Sequence, residues 1–572
     1  MLKGVTASQG YAIGTVLKLD QQVIDSSRKK VYSIANEIKA LHRAIKKTVQ
    51  QIKQLQTLSQ DKFDFETSSI FDAHMMIAQD PEMIKLVEDK IASEHCNLVF
   101  AIREVMNQVT DGFKDFEDDY MRQRVSDLLE VSDKIIKNHL GIKQINLSKI
   151  KDKVILVAHE FSASDTAMIN PDMILGMISE VGGKNAHSAI IARMLGIPAL
   201  VGVKQALTKL KDDDKIILDA SGGKVLRKFD DEIEKEYEHK ITDFILERHK
   251  LESLIDVEPM TADHRFIELN VNIGSYQDAL QAKKINPYGI GLYRTEILFF
   301  DRFELPGEEE QLKEYKRVLE EYNPLPVTIR TLDIGGDKPL PYVKHQKEAN
   351  PALGDRGIRF SLLHLDVFRT QIKALLRASA YGHLKMMLPM VSTQHEFLTL
   401  KESILEIHQE LVDQKIPVGT YELGVMIEVP SAVMIADELG AVVDFFSIGT
   451  NDLIQYTFAA DRLNANLEYL NQPFHPSILR LIHMVTEAAK KHQIKTAVCG
   501  EMASDPKAAL LLIGLGVDEL SMSSPALLAV KDQLLKYNYS DLKQLSALCL
   551  KCSSETEVIE QINHFMETQQ AD

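Results

Sequence analysis

From residue 259 to its end, the 572-residue chain alternates regularly between short apolar runs and longer helical patterns. Eight strands separated by helices over about 260 residues match the length and rhythm of a (β/α)8 barrel. A doubly wound open sheet is the alternative, but no glycine-rich dinucleotide fingerprint follows a strand. We therefore predict a barrel over 259–572. The eight strand-like runs are residues 266–273, 288–293, 326–332, 384–390, 423–430, 442–449, 496–501 and 517–523.

The rest of the chain divides into three regions by its apolar patterns. Residues 1–32 and 143–227 contain strand-like runs and one helical run, AHSAIIARMLG, which predict a small α/β domain. Residues 33–142 repeat apolar residues at three- and four-residue spacing, so an inserted helical domain is predicted there. The charged, glycine-free segment 228–258 predicts a linker helix. After a first long helix, the helical domain should contain helices at 67–95, 98–112 and 118–140.

The composition argues against several classes of function. A formal net charge of −17 makes the chain a poor general binder of nucleic acid or of anionic membranes. No apolar run approaches the roughly 18 residues that a membrane span needs. Four cysteines are too few for a disulfide framework and the start lacks the pattern of a signal peptide, so a cytoplasmic location is expected.

The negative charge is concentrated in the helical domain. Residues 61–130 carry 17 acidic and 7 basic residues, which is more than half of the excess charge of the whole chain. An acidic surface of this kind would suit a basic protein partner. A solvated helix surface is the alternative interpretation.

Charged side chains follow the predicted barrel strands, at the end where parallel barrels carry their active sites. Arginine's planar fork suits phosphate or carboxylate, and two carboxylates from different strands suit a Mg²⁺ that shares oxygens with a substrate. The pattern therefore predicts a site for a small, anionic, metal-bound substrate. The strand ends carry Arg294, Glu296, Arg330, Asp333, Glu428, Asn451, Asp452, Cys499 and Glu501, and Arg356, Arg359 and Arg462 are expected in loops that overhang the same opening.

The stretch DIGGDKPLP (333–341) places two glycines and Lys338 directly after a strand. Its backbone N–H groups could approach an anion there. A tight turn explains the same residues equally well.

The segment GGKNAHSAIIARMLGIPALVG (182–202) places His187 at the predicted start of a helix that ends at Gly196. The partial positive charge of a helix N-terminus disfavours the imidazolium and favours a bound anion. A phosphoryl group on the ring would meet exposed backbone N–H groups. A polar residue that merely starts the helix is the alternative, and Thr166 is a candidate hydroxyl partner for the ring.

Nine motifs are spread over the chain: GG-x-x-x-H-x-A-I-I-A-R, GLYRTE, RTLDIGGDK, NPALGDRGIR, GVMIEVP, DFFSIGTNDLIQYT, ADR, CGE and DELSMS. Together they resemble a known family along essentially the whole chain. The family is Enzyme I of the bacterial sugar phosphotransferase system, the phosphoenolpyruvate-protein phosphotransferases. Two motifs, DFFSIGTNDL and RTLDIGGDK, are long and specific, whereas the histidine motif is shared with pyruvate phosphate dikinase and phosphoenolpyruvate synthase.

The resemblance implies a multidomain α/β protein in which a swivelling α/β phosphohistidine domain carries His187. Nε2 of this histidine would take the phosphoryl group of phosphoenolpyruvate at the C-terminal (β/α)8 barrel, which also dimerises. The domain would then swing to the inserted helical domain, where the carrier protein HPr binds and accepts the phosphoryl group on its own histidine. The acidic helical surface then becomes a surface for HPr, with Glu66, Asp72, Asp80 and Glu82 as candidate contacts.

The resemblance also implies roles for residues of the barrel. Glu428 and Asp452 would hold Mg²⁺, and Cys499 would be the acid that protonates the enolate carbon to give pyruvate. The phosphate and carboxylate of the substrate would be held by Arg294, Arg330, Asn451, Asp452 and Arg462, and with them by Lys338 and Arg356.

The chain departs from the family pattern near the histidine. Asn185-Ala186 replaces the usual Thr-Ser, Lys184 replaces Arg, Ala163 replaces Pro, and Gln9 departs in the first loop. The lost hydroxyls put the local hydrogen bonds in question, but not the attack by the ring. The alternatives are a dikinase or synthase, which needs a nucleotide-binding domain before the histidine, a non-catalytic regulatory relative, and the nitrogen-related paralogue with an added sensory domain.

Overall fold

The computed structural model describes residues 1–19, 24–60, 65–111, 119–142, 147, 150–162, 165, 168–183, 187–300, 304–335, 348–462 and 464–570. The chain forms two compact units, Met1–Arg248 and His249–Asp572.

An eight-stranded mixed sheet forms the centre of the N-terminal unit. Its order is β1-β8-β7-β3-β4-β5-β6-β2, and β3 to β6 run parallel. Two separate apolar clusters pack against the sheet. Because strands that are covered on both faces carry apolar side chains in both directions, their sequences are nearly continuous apolar runs. The strands are β1 Leu2–Lys3, β2 Val5–Ser8, β3 Tyr11–Lys18, β4 Val154–Ala158, β5 Ile174–Ser179, β6 Ala199–Val201, β7 Lys215–Asp219 and β8 Lys224–Leu226.

The first eight residues supply both edges of this sheet. Strand β1 pairs with β8 at one edge, β2 pairs with β6 at the other, and only Gly4 separates β1 from β2 in the sequence. A side chain at position 4 would collide with Val203 and with the carbonyl oxygen of Val201. Glycine is therefore required at the crossing between the two edges.

Five helices lie between β3 and β4 in the described part of the chain. They enclose an apolar core that includes Leu41, Ile91 and Ile102. The predicted single helix at 67–95 is wrong, because Asp80 caps a new helix and Pro81 occupies its first position. The helices are α1 Ile34–Gln60, α2 Phe65–Ala78, α3 Pro81–Glu94, α4 Leu98–Asp111 and α5 Asp119–Leu140.

Three further helices follow in sequence: α6 His187–Leu195, α7 Ala206–Lys209 and α8 Asp231–Glu252. As predicted, α6 begins at His187 and ends before Gly196, whose φ of 65° suits a glycine. Helix α8 is shorter than the predicted linker helix. Beyond its end, the buried ammonium of Lys531 donates hydrogen bonds to the carbonyl oxygens of Leu254, Ile255 and Val257 at 2.9–3.1 Å.

The C-terminal unit is a closed barrel of eight parallel strands, which confirms the predicted (β/α)8 fold. Each strand is largely buried, as expected when helices cover the outside and side chains fill the inside. The strands are β9 Glu268–Ile273, β10 Ile290–Arg294, β11 Pro326–Arg330, β12 His383–Leu388, β13 Tyr421–Ile427, β14 Phe445–Ile448, β15 Lys495–Val498 and β16 Glu519–Met522.

Helices surround the barrel, and several begin with strong caps. Capping boxes start two of them, with Ser275 and Asp278 in one and Thr393 and Glu396 in the other. Across the described ranges, no helix has the length and apolar character to cross a membrane. The barrel helices are α9 Tyr276–Lys283, α10 Glu308–Tyr322, α11 Ile358–Leu363, α12 Leu365–Ala378, α13 Gln394–Asp413, α14 Pro430–Met434, α15 Ala436–Gly440, α16 Thr450–Phe458, α17 Pro476–His492, α18 Pro506–Gly514, α19 Ser524–Leu534, α20 Tyr539–Cys549 and α21 Glu555–Gln570.

Candidate active site

Arg330 is the last residue of β11 and lies buried at the C-terminal end of the barrel. Its Nη2 donates to Glu296 and is 3.1 Å from Oδ2 of Asp333, and its Nη1 lies 3.6 Å from the sulfur of Met426. Burial alone would lower the pKa of this guanidinium, but attraction to the two carboxylates outweighs burial and raises the pKa. Arg330 is therefore a fixed positive charge at the end of the barrel.

Arg356 lies beneath the opening and does not overhang it as expected. Its side chain is 1% exposed. Nε and Nη2 each donate to Asp333 at 3.1 Å, whereas Nη1 and Nη2 donate to Asp452 at 2.8 and 3.2 Å. Nη1 also donates to the hydroxyl of Tyr456 at 3.3 Å. Arg356 thus joins two carboxylates in this structure, and its direct contact with a substrate stays a prediction.

The two predicted metal ligands lie close to the same arginines. Glu428 directly follows β13, and its Oε1 accepts the Met390 N–H at 2.7 Å. Its Oε2 is buried and accepts no hydrogen bond within the described part of the chain. Burial first, and then repulsion from Asp452 and Asp333, raises the pKa of Glu428 to about 8. Asp452 lies in the first turn of α16.

The buried charges at this end of the barrel do not balance. When all are ionised, four carboxylates face two arginines, which leaves two excess negative charges. The raised pKa of Glu428 is one result of that excess, and a divalent cation would cancel it. No set of three or more His, Cys, Asp or Glu side chains is arranged as a metal site among the residues described. The buried carboxylates are Glu296, Asp333, Glu428 and Asp452, and the buried arginines are Arg330 and Arg356.

The residues at hand nevertheless fit a magnesium ion. Oε2 of Glu428 is a buried acceptor to which no described residue donates, and Asp452 supplies a second carboxylate that repels it electrostatically. Mg²⁺ is commonly held by one or two carboxylates, with waters and substrate oxygens completing its ligands.

Cys499 directly follows β15 and is 3% exposed. Its sulfur accepts a hydrogen bond from the Ser447 hydroxyl at 3.3 Å and donates toward the Ile448 carbonyl at 3.8 Å. Burial raises the pKa of this thiol to about 11. The group is therefore protonated at neutral pH and carries a proton that it can donate.

The remaining predicted binding residues differ in their surroundings. Arg294 ends β10 with an exposed side chain. The Asn451 side-chain oxygen accepts the Glu501 N–H at 2.9 Å, and Nη1 of Arg462 lies 3.7 Å from Oδ2 of Asp452. Arg359, also expected at the opening, donates to the backbone carbonyls of Leu353 and Gly354. Lys338 lies outside the described residues.

His187 is the first residue of α6, so its backbone lies at a helix N-terminus as predicted. The position of its ring, and Thr166 as a whole, lie outside what the structure describes. The segments that directly follow β4 and β5 are joined by a contact of 3.0 Å between Nδ1 of His159 and Oε2 of Glu180. Oε1 of Glu180 accepts the Leu207 N–H at 2.9 Å.

The four candidate contacts for a protein partner are only partly described. The side chains of Glu66 and Asp72 lie outside the described part. The Asp80 carboxylate accepts the N–H groups of Glu82 and Met83, so it serves as a helix cap. Glu82 is exposed in the first turn of α3.

Two members of the charge cluster, Glu296 and Asp333, were predicted at the strand ends, but no role was assigned to them. They fix the orientation of Arg330, and Asp333 also fixes that of Arg356. A signal for this role was in the sequence, because each carboxylate lies two or three residues beyond a strand-terminal arginine, in Arg-Thr-Glu and Arg-Thr-Leu-Asp.

Comparisons with known proteins match nearly the whole chain to one family. Family models for the PEP-utilising enzymes match three segments: the N-terminal domain at residues 3–124, the mobile domain at 150–223 and the PEP-binding domain at 248–539. The chain is also similar to curated proteins named phosphoenolpyruvate-protein phosphotransferase. The Priestia megaterium protein is 39% identical over 560 residues, covering 98% of each chain. The Staphylococcus carnosus protein is 39% identical over 565 residues, covering 99% of each.

Proposed function

The chain belongs to the phosphoenolpyruvate-protein phosphotransferase family, and we propose that it transfers the phosphoryl group of phosphoenolpyruvate to His187 and then to a histidine of HPr. Pyruvate is released, and the reaction is the first step of the sugar phosphotransferase system. The observation that carries the proposal is the cluster of Arg330, Glu428 and Asp452 at the C-terminal end of the barrel.

The arginines bind and orient the substrate. Arg330 is held by Glu296 and Asp333 before the substrate arrives, so little reorganisation is needed when negative charge develops. Arg294 is exposed and within reach of an incoming phosphate or carboxylate. With Asn451 and Arg462, these residues hold the phosphoryl group in line with the histidine nitrogen. Positioning and charge neutralisation supply most of the catalysis in phosphoryl transfer.

Glu428 and Asp452 would hold Mg²⁺. When bound, the ion neutralises charge on the phosphate and on the enolate that forms. A divalent cation would cancel the two excess negative charges of the buried groups, and this supports the assignment.

Cys499 completes the first half-reaction. The bond between phosphorus and the enol oxygen breaks, a bond from phosphorus to a His187 ring nitrogen forms, and pyruvate enolate remains. The thiol proton of Cys499 then moves to the terminal carbon of the enolate, which gives pyruvate and leaves a thiolate. The thiolate recovers its proton from water. A thiol with a pKa near 11 is protonated at the start of this step.

The second half-reaction requires His187 to reach a protein partner. The α/β domain (1–32 and 143–227) would swivel about the linker (228–258) between the barrel (259–572) and the helical domain (33–142). The acidic helical surface suits docking of HPr in the cytoplasm. We further propose that the protein dimerises through its barrel, which exposes large apolar side chains such as Leu363, 70% exposed.

The proposal is tested by incubation with ³²P-labelled phosphoenolpyruvate, Mg²⁺ and purified HPr. We expect acid-labile phosphate first on this protein and then on HPr, with one pyruvate formed for each phosphate. His187→Ala should remove the label from both proteins. His159→Ala, which removes a partly exposed histidine of the same unit, is the matched control and should keep it. Labelling that persists in His187→Ala would exclude His187 as the acceptor.

A further inference from the structure

The sulfur of Cys499 lies against a small apolar cluster inside the barrel. The four apolar side chains come from four different strands: Leu292, Met387, Met426 and Phe445. A neutral thiol is stable in such surroundings. A thiolate is not, because it loses its hydration and gains no compensating hydrogen bonds from hydrocarbon.

Ser447 donates the one hydrogen bond that Cys499 Sγ accepts from the described side chains. Ser447 lies in β14, and its partner in β15 by register is Ala497, two residues before the cysteine. The serine is 1% exposed, so water does not compete strongly for its hydroxyl. The hydroxyl oxygen lies 3.3 Å from the sulfur, and the Ile448 carbonyl accepts from the thiol on another side.

We propose that Ser447 is a positioning residue for the protonation of the enolate, acting through Cys499. Its hydroxyl orients the sulfur in the resting thiol and stabilises the negative charge that remains when the proton leaves. The inference rests on the proposed function, specifically on Cys499 as the acid. It adds a residue that contacts the sulfur of the proposed acid.

The physical reason is the difference between the thiol and the thiolate as acceptors. A hydrogen bond to a charged group is roughly twice as strong as one between neutral groups. The Ser447 bond therefore strengthens as charge develops on sulfur, which lowers the barrier to proton transfer. The same bond lowers the pKa of the thiol, as do Arg330 and Arg294, whereas burial and Glu428 raise it.

The test uses Ser447→Ala in the full chain, with phosphoenolpyruvate, Mg²⁺ and an excess of HPr so that the enzyme turns over, and with pyruvate formation as the readout. We expect kcat to fall about tenfold, equivalent to about 1.4 kcal/mol, with little change in KM for phosphoenolpyruvate. We also expect a larger solvent deuterium isotope effect, because proton transfer becomes rate-limiting. Ser447→Thr keeps the hydroxyl and should restore most of the rate.

Ser546→Ala is the matched control. It removes another buried serine hydroxyl from the same unit, one that donates to the Leu511 carbonyl at 3.0 Å. It should lower thermal stability by about as much as Ser447→Ala and leave the isotope effect unchanged. If Ser447→Ala keeps the wild-type kcat and isotope effect, or if its loss of kcat is matched by Ser546→Ala, the inference is overturned.

Cys499→Ala separates this inference from the proposed function. Pyruvate formation at the wild-type rate in Cys499→Ala would show that the cysteine is not the acid, and the proposed role of Cys499 would fail. A slow Cys499→Ala with an unaffected Ser447→Ala would overturn only the role of the serine.

Discussion

Replacing Arg356 with methionine should destabilise the C-terminal unit by about 3–5 kcal/mol, because it removes one partner of a buried ionic cluster. Arg356 is 1% exposed and donates two hydrogen bonds to each of Asp333 and Asp452. Methionine fills much of the same volume but removes the counter-charge that two carboxylates share, although Asp333 still contacts Arg330 at 3.1 Å and Asp452 still contacts Arg462 at 3.7 Å. Asp333 is fully buried, so water cannot replace the lost bonds.

The matched control is Arg369→Met in the same unit. Nη2 of Arg369 lies 2.6 Å from Glu410, but its side chain is 40% exposed. An exposed pair of this kind contributes about 0–1 kcal/mol. Calorimetry of the full chain suits the measurement, since the sequence has no tryptophan for fluorescence.

The expected shift follows from the entropy of unfolding. At about 2.1 cal/mol/K per residue, a unit of about 320 residues has an unfolding entropy of about 0.7 kcal/mol/K. A loss of about 3–5 kcal/mol then lowers the Tm of this unit by about 4–7 °C. A Tm for Arg356→Met no lower than that of Arg369→Met would refute the inference that Arg356 stabilises both carboxylates.

Two further perturbations test other buried charges of the barrel. Because the pKa of Glu428 is raised to about 8 from an ordinary 4.5, the folded state retains a proton between these values. Without added metal, the stability that this group contributes should be complete below pH 4.5 and be lost as pH rises through 8, by up to about 1.4 kcal/mol per pH unit. Urea unfolding at pH 5 and pH 8 should show that this loss of stability is nearly absent in Glu428→Gln. Equal pH slopes for the wild type and the variant would contradict the raised pKa. Lys531→Met removes the donor to three carbonyls of residues 254–257, so amide hydrogen exchange in this segment should accelerate. In the control Lys536→Met, which removes an exposed lysine, exchange of the same segment should match the wild type.

The barrel was predictable because its strands are short apolar runs bounded by polar or turn-forming residues. All eight predicted runs overlap observed strands, and boundaries moved by a few residues, as in β14, predicted from 442 and observed from Phe445. The charged residues at the strand ends were also visible, since parallel strands place their C-terminal ends at one opening. The break at Asp80-Pro81 was missed because apolar spacing continues across it.

The burial of Arg356 could not be seen in the sequence. Its carboxylate partners are 23 and 96 residues away, so the neighbouring residues give no sign of them. The same holds for Ser447 and Cys499, which are 52 residues apart and meet only because their strands are adjacent in the barrel. Spacing along the chain identifies which residue types face the opening, but side-chain pairing inside a barrel depends on register and packing.

The crossing at Gly4 has a consequence for how the chain is made. Leu2 pairs with Val225 and Val5 pairs with Val201, so the residues synthesised first find their partners only when about 200 others have followed. The helices between β3 and β4 can form earlier, because their contacts are local. During synthesis the N-terminal strands therefore stay unpaired until residues 201–225 have been made. Until β1 and β2 pair with β8 and β6, the sheet keeps two unprotected edges that are prone to pairing with other chains.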